Sequence, residues 1–240
     1  MASRLLSELR LALRARPHAK RATSAAAYMK VALPFLGLPI PDVRRIARTC
    51  FRTHTLADAR AFQSLLKEGF LEATYQEERY AVLAIAAERR CRVFQTAAVL
   101  PLYRRLIIAG GWWDVVDELA CRVGDALLAE PAKVAPRLRA WARSRELWLR
   151  RAAIVCQRKA RAKTDIDLLF ACIDPSLGEK DFFLRKGIGW ALRALAYHAP
   201  DEVRRYVRLH ADELSPLSQR EALRRLAPEN AARPLARSLP

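Results

Sequence analysis

No apolar stretch of this chain is long enough to cross a membrane. The longest runs, such as residues 81 to 87, fall far short of the ~18 residues a span needs. The N-terminal segment MASRLLSELRLALRARP reads as an amphipathic helix and lacks the unbroken apolar core of a signal peptide. The five cysteines, at 50, 91, 121, 156 and 172, form no C-x-x-C pair, and the four histidines do not cluster with them. That argues against a zinc site and against a disulfide framework. The thiols are expected to be small core residues in a reducing, cytoplasmic setting, with no metal and no cofactor. Glycine is scarce, at 8 of 240 residues, and no segment alternates apolar with polar residues as a strand would. Acidic residues are the minority charge. Against 25 Asp and Glu stand 43 Lys and Arg, giving a net charge of +18. A field of that size favours a polyanionic partner. An Ala- and Arg-rich composition also follows from codon bias, so the charge counts only where position supports it.

What is present is helical periodicity, in a chain that is 52% hydrophobic and therefore globular. It places helices at about 2–15, 22–31, 41–53, 57–69, 75–91, 93–108, 112–129, 132–143, 147–161, 165–173, 181–197, 200–211 and 216–226. Pro17, Pro39 with Pro41, Gly110 with Gly111, Pro131, Pro175, Pro200 and Pro216 fall between them. From about residue 75 the helix pairs recur every ~35–40 residues, within the range of two-helix solenoid repeats. The expected fold is all-α: an α-solenoid of stacked helix pairs with a basic concave face. Residues 1–226 form one domain, followed by a loose tail at 227–240, and the protein is expected to be a monomer.

The segment Gly110-Gly111-Trp112-Trp113-Asp114-Val115-Val116-Asp117 carries the most chemistry. The glycines end one helix, and the next begins near Trp112. Trp113 and Asp117 then lie four residues apart on one face. An indole face beside a carboxylate can hold a cation. The plainer alternative makes the Trp residues core, lets Asp114 complement the helix N-terminus, and pairs Asp117 with an arginine. Three more segments stand out. One is Tyr28-Met29-Lys30 before a Pro-rich turn. Another is Trp148-Leu149-Arg150-Arg151, followed by Gln157, Arg158, Lys159, Arg161 and Lys163. The third is Arg185-Lys186-Gly187-Ile188-Gly189-Trp190. A helical glycine costs about 1 kcal/mol against Ala, so Gly187 and Gly189 imply close approach of a neighbouring helix or a ligand. Singly, Trp148, Trp190 and Tyr28 read as packing residues and Arg150 and Arg151 as solvated or paired with Glu146. Together, a basic helical chain with an indole–carboxylate pair points to nucleic acid.

These segments, in this order between Tyr28 and Arg193, resemble the AlkD-type DNA alkylation repair glycosylases, HEAT-like helical repeat proteins. The resemblance covers nearly the whole chain to about residue 225. It implies that Trp113, Asp117 and Trp190 form a catalytic cleft. It sets Arg151 on the lesion-bearing DNA and Tyr28 at a DNA-side contact. Lys30, Arg44, Arg185 and Lys186 are expected at the DNA as well. Pro39 stands where the family commonly has a polar residue, so one DNA contact is expected to change. The implied activity is monofunctional excision of cationic N3- and N7-alkylpurines from duplex DNA, with the lesion left stacked. The residue chemistry agrees, since a base that is already cationic leaves without a general acid. A bare carboxylate ~4 Å from an oxocarbenium-like sugar is worth roughly 4 kcal/mol at an effective dielectric near 20, close to a thousandfold in rate. The alternative reading is a non-catalytic helical scaffold that binds nucleic acid through a basic face.

Overall fold

Thirteen α-helices and short 3-10 turns, with no strand among them, make up the described residues, 2–226, of the computed structural model. The helices are α1 (Ala2–Arg14), α2 (Ala19–Met29), α3 (Ile40–Arg52), α4 (Ala59–Leu71), α5 (Gln76–Ala86), α6 (Leu100–Gly110), α7 (Trp113–Ala129), α8 (Pro131–Ala142), α9 (Leu147–Val155), α10 (Ile166–Ile173), α11 (Phe182–Ala196), α12 (Pro200–Leu209) and α13 (Pro216–Leu223). Their boundaries follow local chemistry. Asp58, Asp165 and Asp181 each accept a backbone N–H at the start of α4, α10 and α11, caps worth ~1 kcal/mol each. Proline sits in the first turn of α3, α6, α8, α12 and α13, where its missing N–H goes unused. Gly111, left-handed at φ +49°, closes α6 and frees α7 to start two residues on.

The helices stack in two layers. In one, α3, α5, α7, α9, α11 and α13 each touch the next. In the other, α4, α6, α8 and α12 back their partners α5, α7, α9 and α13, while α1 packs on α3 and α4, and α10 on α8 and α9. The first-layer helices begin at Gln76, Trp113, Leu147, Phe182 and Pro216, a repeat of roughly 35 residues. One apolar core runs the length of the stack, from Leu5 and Phe62 through Leu106 and Val123 to Leu192 and Val203. Four cysteines are buried and Cys50 partly so, all as free thiols. Burial pushes Cys91 up to about 11 and Cys172 up to about 12, which keeps both protonated and fits a packing role. Among the described residues no helix is long and apolar enough to cross a membrane.

Several expected helices come out shorter: the one expected at 75–91 ends at Ala86, and the one expected at 216–226 at Leu223. The one expected at 93–108 starts at Leu100, after 3-10 turns at Arg89–Phe94 and Ala97–Val99. A longer helix would hold Pro101 in its interior, where its ring would clash. The helix expected at 147–161 ends at Val155 and tightens into 3-10 turns. There the Cys156 carbonyl presses on α7, and a Cβ added to Gly124 would lie 2.2 Å from that oxygen. Gly189 has the same use in α11, since a Cβ there would meet the Glu221 Cβ of α13 at 2.5 Å. Its close approach is to a neighbouring helix. The tail expected at 227–240 lies outside the described residues.

Candidate functional site

The first turns of α7 carry two aspartates with opposite surroundings. Asp114 faces α5, where its Oδ2 accepts from Gln76 Nε2 at 3.0 Å and from the Tyr80 hydroxyl. Burial and then the Asp114 charge push the Tyr80 phenol up, so it stays protonated and remains a donor. Asp117 faces α9 and is only 7% exposed. Arg151 grips it in a fork, with Nε donating to Oδ1 and Nη2 to Oδ2, both at 2.8 Å. The third nitrogen of Arg151 donates to the Phe183 carbonyl at 2.5 Å. Gly187 leaves room for this guanidinium, since a Cβ would stand 3.2 Å from Nη1.

A second arginine comes to the same carboxylate from the 3-10 turn Cys156–Lys159. Arg158 Nη1 lies 3.9 Å from Asp117 Oδ2, and its Cζ stacks 3.7 Å from the centre of the Trp190 ring. Its Nη2 reaches only the Cys121 sulfur, at 3.7 Å, and its Nη1 is buried with no hydrogen-bond partner. A positive group therefore occupies a slot between a carboxylate and an indole.

The sequence-derived candidates divide over this geometry. Asp117 and Trp190 meet through Arg158. Trp113 is turned away, onto the wall of a cleft of about 830 Å³ that Tyr28, Pro39, Arg44, Asp114, Arg122 and Lys159 also line. Trp190 lines a separate hollow of about 330 Å³ with Arg193, Tyr197, Arg224 and Arg225. Tyr28 and Lys30 are exposed at the end of α2, and Arg44 pairs with Glu118 at 3.1 Å. Arg185 donates to the Glu179 carbonyl at 2.8 Å and Lys186 pairs with Glu221 at 2.7 Å, so both already serve internal contacts.

Arg151 differs most from its expected place. It was expected to face DNA, but it is 3% exposed and its guanidinium is committed to Asp117 and Phe183. The plainer alternative for Asp117, an arginine partner, is met as well. Trp112, Trp148 and Phe183 form an aromatic cluster with centroids 5.1–5.9 Å apart. Arg150 pairs with Glu179, not Glu146. Arg158 is the residue that sequence reasoning left in a basic run. No local feature of the sequence separates it from Lys159, Arg161 and Lys163.

A family model described as DNA alkylation repair enzyme matches residues 9–226. The chain belongs to the DNA alkylation repair enzyme family. Among solved structures it is similar to a predicted DNA alkylation repair enzyme from Enterococcus faecalis, at 25% identity and a TM-score of 0.71, over 88% of this chain and 97% of that one. AlkD2 from Streptococcus mutans shares the fold at 17% identity and a TM-score of 0.57, over 88% and 99% of the two chains. The protein smu.31 from Streptococcus mutans UA159 does so at 18% and 0.57, over 76% and 90%. No curated protein matches the chain. Membership makes this a repair enzyme of the helical-repeat type.

Proposed function

We propose that the protein is a monofunctional DNA glycosylase that hydrolyses the N-glycosidic bond of N3- and N7-alkylpurines in duplex DNA. The observation that carries this reading is the slot itself. A delocalised cation already rests on the Trp190 face, 3.9 Å from the buried Asp117 carboxylate. An oxocarbenium-like deoxyribose is also a flat, delocalised cation. In the reaction the C1′–N bond breaks and its electron pair goes to the alkylpurine, which leaves neutral. Water adds its oxygen to C1′, and its spare proton passes by way of Asp117 to solvent. No acid is needed for a base that starts with a positive charge.

Arg151 defines how strongly Asp117 can act. Its fork holds the carboxylate rigidly and spends part of its charge, so the ~4 kcal/mol of a bare carboxylate becomes an upper bound. In return the carboxylate is preorganised and costs no reorientation when charge develops. The Trp190 face adds about 0.5–2 kcal/mol through cation–π contact. Both cations that approach Asp117 are guanidiniums and not amines, which fits hydrolysis by water and not imine chemistry. The wide cleft with Tyr28, Arg44 and Lys159 serves the DNA backbone in this reading.

The test is base release from defined duplexes. 7-Methylguanine or 3-methyladenine should be freed, while uracil and 8-oxoguanine, which are neutral, should stay. Tight DNA binding with no release of either methylpurine would leave the scaffold in place of the glycosylase.

A further inference from the structure

We infer that Arg158 is the resident of the sugar-cation slot in the DNA-free protein, and that a cationic sugar competes with it for Asp117 and Trp190. This rests on the glycosylase reading and assigns a competing residue within it.

The two arginines at Asp117 are held very differently. Arg151 makes two 2.8 Å bonds to the carboxylate and a third to a backbone carbonyl, and is 3% exposed. Arg158 makes no hydrogen bond to oxygen there. It has a 3.9 Å approach to Oδ2, a 3.7 Å contact with the Cys121 sulfur and the Trp190 face. Its Nη1 is buried without a hydrogen-bond partner, a condition that costs free energy and favours release. It also stands on a short 3-10 turn, next to Lys159 on the cleft wall, and not inside a long helix. Arg151 is therefore the fixed partner of Asp117 and Arg158 the removable one.

Removing Arg158 takes one positive charge from beside Asp117 and uncovers the Trp190 face. A cationic sugar restores both contacts. A neutral sugar restores neither, and so does not displace the guanidinium. Arg158 therefore competes with a cationic sugar alone, and its removal should favour the cationic sugar selectively.

The test uses the full chain and two duplexes. In one, a single deoxyribose is replaced by a pyrrolidine whose ring amine is protonated. In the other it is replaced by neutral tetrahydrofuran. The ratio of their Kd values, read by fluorescence anisotropy, reports cation preference. Wild type should prefer the pyrrolidine duplex. Arg158→Gln, planar but uncharged, should raise that preference by about tenfold, the order expected when a competing unit charge a few ångströms away is removed. An unchanged or smaller ratio overturns the inference, and equal weakening of both duplexes makes Arg158 an ordinary phosphate contact. A second measurement needs no DNA. Methylguanidinium titrated into Arg158→Ala should saturably change Trp190 emission, judged against Arg158→Ala with Trp190→Phe, and should leave wild type unmoved. An equal response from wild type shows the slot empty and sinks the inference alone. No preference by wild type for the pyrrolidine duplex sinks the glycosylase reading instead.

Discussion

Helix α7 stands between two regions that use the same residue types in opposite ways. On its α5 side, Trp113, Arg44, Arg122 and Lys159 line a cleft of about 830 Å³. Asp114 there is tied to the neutral donors Gln76 and Tyr80. On its α9 side, charge folds in on itself. Asp117 is buried against Arg151 and approached by Arg158, which lies flat on Trp190. In the proposed function, one turn of helix separates the cleft that meets the DNA backbone from the slot that holds the cationic sugar. Binding and chemistry can therefore be disturbed separately, and substitutions on the two sides should have different signatures.

The largest difference should come from the two aspartates. Asp117→Asn leaves Arg151 and Arg158 around the slot with no carboxylate, so developing positive charge is repelled. Excision under single-turnover conditions should fall by about two to three orders of magnitude. The melting temperature should fall too, because Arg151 loses its buried partner. Asp114→Asn keeps acceptors for Gln76 and Tyr80 and should cost less than about tenfold in rate. Equal losses at the two positions would erase the distinction between the two sides.

Arg151→Ala comes next. Breaking a buried pair costs ~3–5 kcal/mol of stability, and a carboxylate released from its fork should slow excision by about ten- to a hundredfold. Since Arg151 is 3% exposed, the slope of log K against log salt should not change. A slope reduced by about one would mean that the guanidinium leaves Asp117 for a phosphate on binding DNA, as the family resemblance implies. On the cleft side, Arg44→Ala and Lys159→Ala should each reduce that slope by about 0.9 and weaken all duplexes alike. Their excision at saturating protein should stay within about twofold of wild type.

The smallest effect concerns acid. Lys186, with Arg193, holds the Glu221 carboxyl below its usual range and ties α13 to α11. A carboxylate whose pKa is lowered by folding stabilises above its unfolded pKa. That contribution is lost as pH falls through the lowered folded value. Glu221→Gln should thus lower the melting temperature slightly at neutral pH, with the gap closing in acid. A gap that widened in acid would reverse the sign of this linkage.

Most of the fold could be read in the chain because its punctuation is explicit. Asp58, Asp165 and Asp181 cap helices, and Pro131, Pro200 and Pro216 open them. The reading failed where tertiary contact decides, as at Cys156, whose carbonyl rests on Gly124 of α7. At the site, the segment Trp112–Asp117 marked Asp117 and Trp190 emerged from the resemblance, but Arg158 did not stand out. One arginine among Arg158, Lys159, Arg161 and Lys163 looks like its neighbours until the chain turns it inward. Arg151 was noticed and given an outward role, because nothing in a linear sequence states that it lies 2.8 Å from Asp117. Pairing between distant charges is a property of the stack and has no local signal.

The account's central claim is that positive charge on the departing base replaces acid catalysis at the slot. The direct measurement is single-turnover release from two otherwise identical duplexes, one bearing 7-methylguanine and the other its neutral 7-deaza isostere. The two bases have the same shape and differ in charge. The wild-type protein should release the first and leave the second bound to its sugar. Release of both, or of neither at saturating protein, would contradict the account.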